Sequence, residues 1–108
     1  MTVETFANST GCKILCMPSP EREIDGAYIG DLLSWVMGKA QSGNVWITIM
    51  SNLNVVAVAT LADPACIILS EGVEPEAGVT NKAQSVGVNV LSSKKDTFAL
   101  CAEVAALL

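Results

Sequence analysis

Gly26-Ala-Tyr-Ile-Gly-Asp-Leu-Leu-Ser-Trp-Val-Met-Gly-Lys-Ala40 is followed, after the turn Gln41-Ser-Gly-Asn44, by the run Val45-Trp-Ile-Thr-Ile-Met50. Ile29, Leu32, Leu33, Val36, Met37 and Ala40 recur at helical spacing, which predicts a helix over 29–40 with one apolar face. Val45–Met50 is β-branched and aromatic, the composition of a core strand. A helix feeding a buried strand is the unit from which parallel sheets are built. On the expected helix, Trp35 lies about 130° from a stripe centred near Leu33 and Val36, with Tyr28 and Asp31 on the same outer side. Aromatic residues are enriched in interface cores, so Tyr28 and Trp35, two large aromatics where a monomer should show small polar groups, are the expected contact residues of a self-associating chain. The alternative is that Trp35 packs beneath the Met17–Asp25 segment.

Working outward, residues 2–9 carry a weak signal for one or two helical turns, and Cys12–Met17 reads as a short strand stopped by Pro18 and Pro20. Glu21–Asp25 is either an edge strand or an extended lead into the helix. The segment Ser51–Asp63 supports two readings. Val55, Val56 and Val58 favour a strand paired with 45–50, while Asn52 or Asn54 as a cap, the alanines, and Asp63-Pro64 as a stop favour a helix. Cys66–Leu69 is a second core strand. A helix is expected from Glu76 to Val86, with Pro75 at its start, Val79, Ala83 and Val86 on its apolar face, and Gly87 ending it. Val88–Leu91 gives a third core strand. Asp96 caps a final helix expected to bury Phe98, Cys101, Val104, Ala105 and Leu108. This alternation predicts one α/β domain over 1–108, a small two-layer or three-layer sandwich on a mainly parallel sheet.

Composition sets outer limits on function. Hydrophobic residues make up 51% of the 108 positions and charged residues 16%, a ratio suited to a sheet covered on both faces or to a surface shared with another subunit. The net charge of −5 argues against a nucleic-acid partner, because recognition there rests on clustered Lys and Arg. The only basic cluster in the sequence, Lys94-Lys95, reads as a solvated loop. No apolar run approaches the ~20 residues that span a bilayer, and residues 1–10 lack the basic start and apolar centre of a signal peptide, so no membrane partner and a cytoplasmic location are expected.

Catalytic and metal chemistry have little to work with. The chain has no histidine, which removes Ser–His and Cys–His nucleophilic pairs. Gly38-Lys39-Ala40 is the sole Gly-Lys and falls inside the expected helix, so there is no phosphate-binding P-loop. Cys12 and Cys16 would lie roughly 13 Å apart along a strand, too far for one metal, and Cys66 and Cys101 are isolated. Free thiols, no metal, no cofactor and no enzyme activity are the expectation. The carboxyl ends of the strands, at Thr48–Asn54, Ser70–Gly72 and Ser92–Thr97, are polar and small, and ligands of open α/β sheets bind at such ends. Turn chemistry and helix capping account for the same residue types.

The run Gly26–Met37, the later Asn54-Val-Val-Ala-Val-Ala59, the turn Ile67-Ile-Leu-Ser-Glu-Gly72, and the tail through Gly87-Val-Asn-Val-Leu91 and Asp96-Thr-Phe98 together resemble the DRTGG domain, over roughly residues 11–108. Such domains are found inside some phosphotransacetylases, beside CBS domains, and as stand-alone proteins encoded near iron-only hydrogenase components. Their fold is similar to that of the non-catalytic domain of HPr kinase/phosphorylase. The resemblance implies a helix, not a strand, at 54–62. It also implies a regulatory or interaction module, a homodimer acting with a metabolic enzyme of hydrogenase or acetate metabolism, or else a sensor of a nucleotide or anion. The candidate ligand-binding residues are Gly26, Tyr28, Gly30 and Asp31 of the family-like run, with Thr48, Ser51, Asn52, Asn54, Ser70, Glu71 and Gly72 at the strand ends. The family's Asp-Arg before the middle helix and Thr-Gly-Gly after the next strand are represented here by Leu53-Asn54 and Ser70-Glu71-Gly72. Glu71 thus brings negative charge to a turn where the family carries glycine.

Overall fold

The computed structural model describes residues 1–108 as five helices and five strands. In chain order they are α1 (Val3–Thr10), β1 (Lys13–Cys16), β2 (Ala27–Ile29), α2 (Leu33–Lys39), β3 (Val45–Thr48), α3 (Leu53–Ala62), β4 (Cys66–Leu69), α4 (Val79–Val86), β5 (Val90–Ser92) and α5 (Thr97–Leu107). The strands form one sheet in the order β1-β5-β4-β3-β2. β2 to β5 are parallel and β1 runs antiparallel along β5. Val45 faces Cys66 and Thr48 faces Leu69, so β3 and β4 are direct parallel neighbours. Residues 55–61 lie in α3, and the hairpin reading of Ser51–Asp63 is excluded.

Two apolar layers cover the sheet. Val36 of α2, Val55, Val56 and Ala59 of α3, and Val79 and Ala83 of α4 pack on one face against Trp46, Ile67, Leu69 and Val90. Val3, Phe6 and Ala7 of α1 and Leu100 and Val104 of α5 pack on the other against Val45, Ile47, Cys66, Ile68 and Leu91. The sandwich therefore has three layers. β3 and β4 are buried at every position because helices lie over both faces, which is why they read as continuous apolar runs.

Several boundaries differ from the sequence reading, each for a physical reason. The helix expected over 29–40 is shorter, because Ala27–Ile29 is an edge strand whose Tyr28 pairs with Trp46 and whose Ile29 pairs with Ile47. Of the expected stripe only Val36 is buried. Leu33 and Ala40 are partly covered, while Ile29, Leu32 and Met37 are exposed. Tyr28 and Asp31 precede α2 and share no helical face with Trp35, which is 56% exposed with the Lys39 ammonium 4.0 Å from its ring centroid. Trp35 does not pack beneath Met17–Asp25. Glu21–Asp25 is an extended lead, tied to the amino terminus by a bridge between Thr2 and Glu23.

At the amino terminus the weak helical signal becomes α1, capped by Thr2 and fixed by the complete burial of Val3 and Phe6. α4 begins at Val79 after Gly78, outside the reach of Pro75, and Val86 is exposed. β5 starts at Val90, two residues later than expected, and ends at Ser92. In α5, Phe98 is 84% exposed, and Ala105 and Leu108 are also exposed. The helix turns Leu100, Cys101, Val104 and Leu107 inward instead. Thr97–Leu107 is apolar nearly all round, so spacing alone does not select a face.

Candidate functional site

The residues expected to bind a ligand fall into separate groups. Gly26 lies at the amino end of the sheet, where a Cβ would come within 3.0 Å of the Asn44 amide nitrogen, and it belongs to the structural turn there. Tyr28 is half-buried on β2 and packs against the layer of α2, α3 and α4. Gly30 lies just past β2. Its carbonyl accepts from the Trp46 indole at 2.9 Å, and a Cβ there would meet the Tyr28 ring at 2.9 Å. A larger residue at this position would push the Tyr28 ring aside.

Asp31 and Thr48 come together at the carboxyl ends of β2 and β3. One Asp31 carboxylate oxygen accepts from the Thr48 hydroxyl at 2.8 Å and from the Ile49 amide at 2.9 Å. The Thr48 oxygen in turn accepts from the Met50 amide at 3.1 Å. Ser51 offers its carbonyl to the Glu76 amide, and Asn52 caps α3 by accepting from the Asn54 amide at 3.0 Å. Asn54 itself is exposed in the first turn of α3. These groups close the ends of β2 and β3 with internal bonds.

The ends of β4 and β5 are arranged differently. Ser70, Glu71, Gly72 and Val73 form a tight turn, closed by the Val73 amide donating to the Ser70 carbonyl at 3.1 Å. Glu71 and Gly72 have φ of 62° and 70°, the sign pattern of a type I′ turn, in which glycine is favoured at both central positions. Holding Glu71 there costs about 1 kcal/mol. Its carboxylate accepts from the Thr97 amide at 2.7 Å, across from the Asp96 carboxylate, which accepts from the Ala99 amide at 2.9 Å. Two carboxylates therefore occupy the amino end of α5, a favourable place for negative charge. The Ser70 and Thr97 hydroxyls share a hydrogen bond of 2.8 Å below them.

The same turn is fastened to the segment after β5. The Glu71 amide donates to the Lys95 carbonyl, the Gly72 amide to the Ser93 carbonyl, and the Ser93 amide back to the Leu69 carbonyl, all at 2.8–2.9 Å. Beside this junction lies an open cleft of about 340 Å³, lined by Thr10, Gly11 and Lys13, by Gly72, Val73 and Glu74, and by Ser92 through Lys95. Its position follows from the topology. The chain leaves β4 toward α4 on one face of the sheet and leaves β5 toward α5 on the other. Successive connections that part to opposite faces open a crevice at the carboxyl ends of strands, the usual ligand position in open α/β sheets.

Lys13, Lys94 and Lys95 were outside the expected set, since Lys94-Lys95 read as a solvated loop and Lys13 as part of a strand. The available signal was Ser92–Thr97 as a strand end. The pairing of Lys13 with Ser92 is what brings a distant cation to it.

The thiols are distributed through the core. Cys16 packs in one apolar layer, while Cys66, with Cys12 and Cys101 near it, lies in the other. No three Cys, Asp or Glu side chains gather closely enough to hold a metal ion. Burial, reinforced by Cys12, pushes the Cys66 thiol far up, and burial also raises Cys16 and Cys101. These thiols are protonated at neutral pH and make poor nucleophiles. No helix is long and apolar enough to cross a membrane.

Comparison with known proteins agrees with this architecture. No curated protein matches the sequence. Among solved structures, the chain is similar to the CBS and DRTGG domains of the regulatory region of Clostridium perfringens pyrophosphatase, solved with its activator diadenosine tetraphosphate. The TM-score is 0.70 at 11% identity, over 95% of this chain and 45% of that one. This chain thus spans less than half of that neighbour's length, and the likeness establishes the shared fold. The sequence pattern of the DRTGG domain matches residues 6–107, from within α1 to the end of α5, and the chain belongs to the DRTGG domain family.

Proposed function

We propose that this protein is a non-catalytic regulatory module that acts through protein contacts, first of all with a second copy of itself and through that dimer with a metabolic enzyme. The observation that carries this reading is how the carboxylates and hydroxyls at the ends of β2, β3 and β4 and at the start of α5 are used. Asp31, Thr48, Ser70, Glu71 and Asp96 are each bonded within the chain, and no buried side-chain polar atom lacks a partner. Each of these groups caps a helix or closes a turn, so the structure accounts for it without a substrate, and none is paired with a second group in the acid–base or nucleophile–base arrangement that catalysis needs.

Apolar surface remains where a partner can use it. Ile29, Leu32, Trp35 and Met37 are each about half exposed on β2 and α2, at the edge of the sheet farthest from β1. The structural neighbour is itself part of an enzyme's regulatory region, which supports a role beside an enzyme.

Light scattering tests the self-association. The wild type at tens of micromolar is expected to run as a dimer, and Trp35→Ala is expected to weaken it by about 2 kcal/mol, as loss of a central aromatic contact does. A monomeric wild type refutes self-association, whereas an unchanged dimer in the variant moves the contact away from Trp35.

A second reading, a sensor of a small nucleotide or anion, is favoured by the cleft where β4 and β5 diverge. The neighbour's activator is a dinucleotide, which supports it. In a thermal-shift panel of nucleotides and anions, a ligand at 100 times its Kd raises stability by about 2.7 kcal/mol. Flat melting curves across the panel exclude this reading and leave the dimer reading intact.

A further inference from the structure

We infer that the cleft between β1, β4 and β5 is a binding site for the phosphate chain of a small, multiply charged anion, held by Lys13 and Lys94 with Lys95 at its rim. This inference rests on the sensor reading and gives it a location and a ligand class. The charge distribution carries it. The chain has net charge −5 and only six basic side chains, yet three of the six line this one cleft. Of the other three, Arg22 is paired with Asp63, Lys39 lies over Trp35, and Lys82 lies by the groove between α3 and α4. Within the cleft, Lys95 pairs with Glu103, while Lys13 and Lys94 make no ion pair. Two lysines without an ion pair line one concave surface, contributed by segments far apart in sequence and brought together by the antiparallel pairing of β1 with β5.

The rest of the lining restricts what can bind. The amides of Glu71, Gly72 and Ser93 are already donated to carbonyls, so they provide no cradle for a single phosphate. Glu71 and Asp96 block the amino end of α5. The Glu74 carboxylate and the carbonyl end of α1 at Thr10–Gly11 subtract from the positive field. An exposed lysine contact is individually weak, so an anion with one charge gains too little, and adjacent phosphates that engage both lysines are required. Val73 is the only apolar residue in the lining, and no aromatic ring is present to stack a base. The site therefore selects the phosphate chain, whether inorganic or part of a nucleotide, and gains nothing from the nucleoside.

Isothermal titration of the full chain in magnesium-free buffer tests the assignment, with inorganic tripolyphosphate, ATP and adenosine as probes. Tripolyphosphate and ATP are expected to bind with similar affinity and adenosine not at all. Lys13→Gln/Lys94→Gln is expected to weaken tripolyphosphate by about tenfold, from two contacts each worth roughly threefold. Lys39→Gln/Lys82→Gln, which removes the same charge elsewhere, is expected to leave affinity within about twofold. Amide NMR signals of Gly72, Ser93 and Lys94 should move on titration, which locates the site without any variant. Equal weakening in both double variants, or shifts confined to other residues, overturns the site while leaving a sensor possible. ATP binding without tripolyphosphate binding overturns the ligand class. Absence of binding by every probe overturns the proposal and, with flat melting curves, the sensor reading with it.

Discussion

At the amino ends of the parallel strands, Arg22 donates to both Asp63 carboxylate oxygens at 2.9–3.0 Å and to the Asp63 carbonyl at 2.9 Å, and Ser42 adds a bond of 2.6 Å. Nearby, buried Asn44 joins Gln41 to Asp25, and buried Asn89 joins Ser19 to Ala65 with three bonds of 2.7–3.0 Å. At the carboxyl ends, Glu71 and Asp96 hold the start of α5, but Lys13 and Lys94 face an open cleft without a carboxylate partner. Each end carries an acidic residue in the left-handed region, Asp63 at φ 59° and Glu71 at φ 62°. The amino end surrounds its acid with a guanidinium and a hydroxyl and stitches loops together. The carboxyl end uses its acid to cap a helix and leaves cations over. The paired groups of the amino end hold the fold, whereas the unpaired lysines of the carboxyl end are the groups that the proposed site uses.

The largest expected effect is at the amino end. Asn89→Ala removes three bonds at a residue only 2% exposed and leaves the Ala65 carbonyl and the Ser19 amide without this partner. A loss of about 3 kcal/mol is expected in urea unfolding. Ser70→Ala, at an equally buried residue of the carboxyl end, removes one hydroxyl pair and should cost only about 1 kcal/mol. Equal losses would erase the contrast between the two ends.

Glu71 allows a sharper test, because strain and capping oppose each other there. Glu71→Ala keeps the left-handed backbone and loses the bond to Thr97, so about 1 kcal/mol of destabilisation is expected. Glu71→Gly also loses the bond but relieves the backbone, and its unfolding midpoint should stay within about 0.5 kcal/mol of wild type. If glycine is as costly as alanine, the strain at this turn is negligible.

Asp63 gives the pH dependence. Hydrogen bonds from Arg22 and then Ser42 hold its carboxyl below the ordinary value of 3.8. A depressed carboxyl contributes stability above its unfolded pKa and loses it as pH falls through the lower folded value. Because the pair is partly exposed, the contribution is at most about 1 kcal/mol. Urea unfolding at pH 6 and pH 2.5 should show Asp63→Asn weaker than wild type at the higher pH, with the difference shrinking at the lower. A constant difference would assign the effect to the lost hydrogen-bond acceptor facing Arg22 and Ser42 instead of the charge, because asparagine tolerates the left-handed turn as well as aspartate does.

The smallest effect is expected at Phe98. A buried phenylalanine cut to alanine typically loses 3–5 kcal/mol, but this ring is 84% exposed, so Phe98→Ala should change stability by less than about 0.5 kcal/mol. A loss above 2 kcal/mol in the dilute protein would place the ring against the core.

The sequence by itself determined the class of fold and most of its punctuation. Val45–Thr48 and Cys66–Leu69 are runs so apolar that only a sheet covered on both faces could bury them. Asn52, Asp96 and Gly87 stand where local capping chemistry requires them, and local chemistry acts within a few residues. The missing histidine and P-loop were legible as composition. Tertiary structure decided what local pattern left degenerate. Ile29 joined β2 because an adjacent β3 edge offered it backbone partners, and α1 formed because the sheet buried Val3 and Phe6. In α3 and α5, nearly every residue is apolar, so only the neighbouring layers could choose the buried face and leave Phe98 outside. The lysine cleft was hidden for a related reason. Lys13 and Lys94 are 81 positions apart in the chain, and only the pairing of β1 with β5 makes them neighbours.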